Sequence, residues 1–134
     1  MSARAEEESS SEPGAPRKFP RSVRLLRHAD FERVYQQGKR HFSPHMTVFY
    51  MQRDSGEGLR VGFTVSRALG GAVERNRMKR RLREAIRLRR PVVNLPVDIV
   101  INPKRSILTA DFEGVLNEVG RAFQVIQQKS LGAS

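Results

Sequence analysis

The chain has 134 residues and a net charge of +11, with 25 Lys and Arg against 14 Asp and Glu, and a pI of about 11.3. That length suits one domain with one real core, and that charge points to nucleic acid or an anionic membrane surface as partner. There is no cysteine, which excludes a disulfide framework and thiolate metal sites, and His28, His41 and His45 make no convincing metal set because Pro44 breaks any helical face shared by the last two.

With no apolar run near twenty residues and no signal-peptide pattern, the expected protein is cytoplasmic, neither membrane-spanning nor secreted. Residues 1–18 are acidic, small and nearly free of apolar side chains, which predicts a disordered tail. Residues 19–128 are expected to form the single folded domain, and 129–134 a C-terminal tail. From there a helix is predicted over 28–37, with Leu26, Phe31, Val34 and Tyr35 as its stripe and Gly38 as its stop. Arg40 and Phe42 stand near a short strand. HMTVFYM (45–51) then alternates, with Met46, Val48 and Tyr50 on one face and Thr47, Phe49 and Met51 on the other. The turn RDSGEG (53–58) leads into LRVGFTV (59–65), which predicts a hairpin between the two strands. Phe49 and Phe63 are expected in the core.

After a loop with two glycines comes RNRMKRRLREAIRLRR (75–90), in which nine of sixteen residues are Lys or Arg. Met78, Leu82, Ala85 and Ile86 fall on one helical stripe, which puts Asn76, Arg80, Arg83 and Arg87 on the opposite side. Arg77 and Arg81 flank them on one edge, Lys79 and Arg90 on the other. Such like charges repel one another along an isolated helix, and a polyanion lying on them turns repulsion into attraction. A solvated charged face is the plainer reading, but ordinary surfaces mix signs and this stretch holds one acid, Glu84. The helix should stop before Pro91, with 91–96 irregular. VDIVI (97–101) reads as a strand closed by 102–103. Thr109 can cap a last helix striped by Phe112, Val115, Leu116, Val119, Phe123 and Ile126. Helix, two or three strands, basic helix, strand and helix predict an α+β layered sandwich.

The segment VGFTVSRALGGAVERNRMKRRLREAIR (61–87) resembles the signature of the protein subunit of bacterial ribonuclease P, centred on Arg75-Asn76-Arg77 and followed by Lys79-Arg80. DFERVYQQG (30–38), the strand ending at Tyr50, and DIVI (98–101) agree with it in order and spacing. The resemblance implies an α-β sandwich with a left-handed βαβ crossover, against the usual right-handed rule. It implies that a partner RNA subunit, using Mg²⁺, cuts the 5′ leader from precursor tRNA. The protein itself then needs no cofactor, metal or catalytic residue, and neither membrane nor DNA is a partner. By the same resemblance, Arg75, Asn76, Arg77, Lys79, Arg80, Arg83 and Arg87 would bind the RNA subunit. Phe31, Tyr35, Tyr50, Thr64 and Arg67 would form the cleft for the single-stranded leader. Two departures stand out. Ala68 follows Arg67 where the family usually has a second lysine, and Asn102-Pro103 replaces an Ala-Arg pair, with Lys104-Arg105 shifted onward. Two other classes share the basic helix: a ribosomal-type structural RNA binder, against which the 30–38 motif argues, and a DNA-binding factor, against which the flanking strands argue.

Overall fold

The last strand in sequence lies inside the sheet. The computed structural model describes residues 27–54, 58–90 and 96–132. Its elements are α1 (His28–Gln37), β1 (Lys39–Ser43), β2 (Met46–Gln52), β3 (Arg60–Phe63), α2 (Ala72–Arg89), β4 (Val97–Pro103) and α3 (Phe112–Gly132), with 3₁₀ turns at Arg67–Leu69 and Arg105–Leu108. The strand order is β1-β2-β4-β3. β1 with β2 and β2 with β4 are antiparallel, while β3 and β4 run parallel with α2 as their crossover.

The fold is therefore the mixed α+β sandwich expected, but the hairpin between β2 and β3 does not form, because β4 sits between them. β4 is buried along nearly its whole length, and a strand apolar on both faces belongs in the interior of a sheet. β3, with only four residues, takes an edge, and β2 finds its hairpin partner in β1. β4 also runs through residues 102–103, expected to close it; Pro103 is its last paired residue, where a missing N–H costs no interior bond.

The ladder register sorts the side chains into two faces. Val48, Tyr50, Val61, Ile99 and Ile101 join Met78, Leu82, Ala85 and Ile86 of α2 and Val115, Val119, Phe123 and Ile126 of α3 in the main core. Both expected helical stripes are thus buried against one face. The opposite face carries Val100, which packs with Val34 of α1 and with the half-buried Phe31, Phe49 and Met51. Phe63 packs at the edge of the main core as expected, whereas Phe49 belongs to this second, smaller cluster.

Several boundaries differ. α2 starts at Ala72, three residues before the basic run, because the Glu74 carboxylate accepts the Gly71 N–H at 2.7 Å and closes its first turn. Thr109 does not cap the last helix; it ends a 3₁₀ turn, and Asp111 holds the cap position, its carbonyl accepting the Val115 N–H at 3.1 Å. α3 continues to Gly132, so the expected C-terminal tail is helical over 129–132. The predicted tail 1–18, Leu26 and the segment 91–95 lie outside the described residues.

Gly38 does end α1, but through close approach rather than a left-handed conformation, since its φ is −84°. A Cβ there would stand 2.5 Å from the Val34 carbonyl oxygen and 2.6 Å from that of Tyr50. Both obstacles are backbone and cannot turn aside. Gly38→Ala should therefore destabilise the fold by about 1–3 kcal/mol, read as a lower urea midpoint at unchanged slope. A midpoint equal to the parent's would mean that α1 can lift from the sheet at no cost.

At one end of the α1-side face lies an ionic cluster. Asp98, 0% exposed, accepts from Arg53 at 2.8 Å and from two nitrogens of Arg60 at 2.9 Å each. Arg60 also stands 3.7 Å from Asp30, and Arg53 donates to the Gly58 carbonyl at 2.8 Å. The cluster ties the start of α1 to β3, β4 and the end of β2. Burial works to raise the Asp30 carboxyl, but the Arg27 N–H, Arg60 and Arg33 outweigh it and hold the pKa below its ordinary 3.8. The Asp98 hydrogen bond, against the effect of burial, pushes the Arg60 pKa up.

Candidate nucleic-acid interface

Two surfaces carry the chemistry, one on the sheet and one on α2. On the α1 side of the sheet, Phe42, Thr47 and Asn102 lie opposite one another on β1, β2 and β4. Thr64 extends that row one step beyond β3, its N–H donating to the Ile101 carbonyl at 3.0 Å. α1 closes the row from above: the Tyr35 hydroxyl lies 2.7 Å from the Thr64 hydroxyl and donates to the Asn102 side-chain oxygen at 3.0 Å. The Tyr35 ring meets Phe49 edge to face, with centroids 4.8 Å apart. Arg40 lies between two rings, its guanidinium carbon 5.9 Å from the Phe42 centroid and 5.8 Å from that of Phe49.

The result is a groove whose walls offer aromatic faces, hydroxyls, an amide and a cation. Tyr35 is 37% exposed and Phe42 is 67% exposed. Exposed aromatic faces beside hydroxyls and a cation offer a surface on which flat rings can stack.

Of the residues expected in the cleft, Phe31, Tyr35 and Thr64 share this face, and Arg67, exposed, opens the 3₁₀ turn that follows it. Tyr50 does not belong here. It is 6% exposed, within the main core on the opposite face, and burial pushes its hydroxyl pKa up. The alternation of β2 was read correctly, but the groove lies on the side of Phe49. Phe42, Arg40 and Asn102 were not expected in it. The signal for Phe42 was an aromatic beside a short strand with no apolar neighbour two residues away.

The second surface is α2. Asn76, Arg77 and Arg80 are exposed, while Arg75, Lys79, Arg83 and Arg87 are half-buried. Arg75 donates to the Gly70 carbonyl at 3.1 Å, which steadies the turn between groove and helix. Gly70 has φ +146°, a conformation that favours glycine. Arg87 pairs with Glu84, the one acid of the basic run. Arg81 turns away from solvent. It donates to the carbonyls of Ile107 at 2.6 Å, Leu108 at 3.2 Å and Ala110 at 2.8 Å, and lies over the Phe112 ring. It fixes the chain entering α3. The solvent-facing cations of this helix are thus Arg77 and Arg80, with the half-buried Lys79 beside them, and Arg89 at its far end.

No three His, Asp or Glu side chains come together to hold a metal ion among the described residues, and none of the described helices is long and apolar enough to cross a membrane. Fold and surfaces define a basic α+β protein with an aromatic groove beside a cationic helix. The sequence profile of the family described as Ribonuclease P matches residues 19–127. A ribonuclease P protein component from Geobacter sp. (strain M21) is 37% identical over 111 residues, 83% of this chain and 94% of the relative. One from Maridesulfovibrio salexigens is 42% identical over 85 residues, 63% of this chain and 68% of the relative. Among solved structures, the Staphylococcus aureus RNase P protein superposes with a TM-score of 0.68 at 25% identity, covering 78% of this chain and 94% of that one. The Thermotoga maritima RNase P protein gives 0.62 at 29% identity, covering 73% and 96%. The chain belongs to the ribonuclease P protein component family, subunits of a tRNA-processing endoribonuclease.

Proposed function

We propose that α2 binds the catalytic RNA subunit of ribonuclease P and that the α1-side groove holds the 5′ leader of precursor tRNA, promoting removal of that leader in the bacterial cytoplasm. The observation that carries this reading is the open row of Tyr35, Phe42, Thr64 and Asn102, which the Arg67 turn joins directly to the start of the arginine helix. Arg77, Lys79 and Arg80 would meet phosphates of the RNA subunit. Arg75, Asn76, Arg83 and Arg87 lie along the same helix and would support them. Phe31, Tyr35 and Phe42 would give unpaired leader bases a stacking surface, with Thr64, Arg67 and Asn102 taking backbone or base edges. The Mg²⁺ that the reaction needs would be held by the RNA subunit. This chain contributes positive charge and position, so alone it should leave precursor tRNA uncut, with no acid–base pair in the groove to move a proton.

The test is precursor affinity against leader length, with and without the protein on a bacterial ribonuclease P RNA. The gain should be large for leaders of several nucleotides and shrink when only one or two remain, because each stacked base is worth about 1–3 kcal/mol. Tyr35→Ala should lose part of the gain while RNA-subunit affinity stays intact. Tyr35→Phe, which keeps the ring but loses both hydroxyl contacts, should lose less. An equal gain for leaderless and long-leader substrates would sink the groove assignment.

A further inference from the structure

A polar depression between the end of α2 and the middle of α3 belongs to neither surface described above. It is open to solvent, spans about 500 Å³ and is lined by Arg89 of α2 and by Asn117, Gly120, Arg121, Gln124 and Gln127 of α3, with Phe123 beneath. It lies with the two helices on the main-core side of the sheet, away from the groove. The size is that of a small-ligand pocket, and the lining is unusual for one. Two arginines and three side-chain amides line it together with one aromatic.

Among the described residues, neither Arg89 nor Arg121 is paired with a carboxylate. Arg121 also projects its charge onto His41 of β1, where, after burial, it is the second influence lowering that imidazole's pKa. Positive charge is therefore gathered here with no ion-pair partner among the described residues. At the centre stands Gly120, in the middle of a long helix where glycine is unfavourable. A Cβ at that position would lie 3.4 Å from Cδ and 3.6 Å from Nε of Arg89. The missing side chain lets the arginine lie across the helix at that point.

We propose that this depression is a second RNA-binding site, taking a single unpaired nucleotide of the RNA partner. The phosphate would sit between Arg89 and Arg121, and the base edge would meet the amides of Asn117, Gln124 and Gln127, which can both donate and accept. This rests on the RNA-binding reading given above and goes beyond it, because the site lies on the far side of the sheet from the leader groove and outside the arginine face of α2.

Two variants test it: the double substitution Arg89→Gln with Arg121→Gln, and Gly120→Met, which fills the space and leaves both charges. Each is titrated against a bacterial ribonuclease P RNA over a range of salt, with melting temperature as the check on folding and Arg77→Ala as the control. The double variant should bind roughly three- to tenfold more weakly near physiological salt, with a salt slope flatter by about one to two. Gly120→Met should also bind more weakly although no charge is lost, and in both variants the leader-length gain should be unchanged. Parent-like affinity and slope in the double variant, while Arg77→Ala weakens binding, would overturn the site and leave the main RNA surface standing. If Gly120→Met does not fold, the double variant alone decides. If Arg77→Ala is equally without effect, the RNA-binding reading itself is overturned, and this site with it.

Discussion

Asp98→Ala is expected to lower folding stability by about 3–5 kcal/mol, the largest effect of any single substitution considered. The carboxylate is fully buried and satisfies Arg53 and Arg60 at once. Removing it leaves two guanidiniums facing each other at the end of the sheet. Asp98→Asn keeps acceptor capacity for one of them and should cost less. Urea unfolding of both variants checks this, and a loss under about 1 kcal/mol for Asp98→Ala would mean that water reaches the cluster and screens it. The same cluster sets the acid limb of stability. Asp30 has its pKa depressed in the folded chain below 3.8, so the unfolded chain takes up its proton first as pH falls. The contribution of Asp30 is fully present above that ordinary value and is lost as pH drops through the folded one. Asp30→Asn should flatten the stability profile below about pH 4 and leave its shape at neutral pH unchanged.

The second large effect is on RNA affinity and its dependence on salt. With Arg77, Lys79 and Arg80 leading and Arg83 beside them, about four phosphate contacts are expected. The slope of log affinity against log salt contributed by this face is then about −3 to −4, a loss of roughly a hundredfold between 50 and 200 mM salt. Arg77→Ala and Arg80→Ala should each flatten the slope by about one. Arg81→Ala is the informative contrast. Its three carbonyl partners lie on the chain entering α3, so its loss should lower stability and leave the slope alone. A slope that Arg81→Ala flattens as much as Arg80→Ala does would show that Arg81 leaves those carbonyls to meet RNA.

What could be read from the chain was local. α1, the buried stripe of α2 and that of α3 follow from spacing within one element, and the alternation of β2 was correct residue by residue. What could not be read depends on which elements meet. Tyr50 and Phe49 are both aromatic on a half-buried strand, and only the placement of α1 over Phe49 decides which of them lines the groove. The expected hairpin failed for the same reason: nothing in β2 or β3 announces that a strand more than thirty residues later will lie between them. The partners of Asp98 could not be read either, because Arg53 and Arg60 are 45 and 38 residues away in sequence. Arg81 looked like one more cation of the basic face, since a charge run does not say which of its members turns inward to cap a neighbouring turn.

The late arrival of β4 also dictates an order of events as the chain is made. β1 and β2 can pair as soon as residue 52 is available, through a short local connection. β3 has no strand to pair with until Val97–Pro103 emerges, so the arginine helix between them must wait with its apolar stripe uncovered. Closing that loop brings a dense row of like charges onto a half-built core, a non-local step of the kind that slows folding. An RNA chain already present would neutralise the row as it docks and, by binding only the closed form, draw the equilibrium toward it. The RNA partner proposed above would then also be the template on which its last strand is set in place.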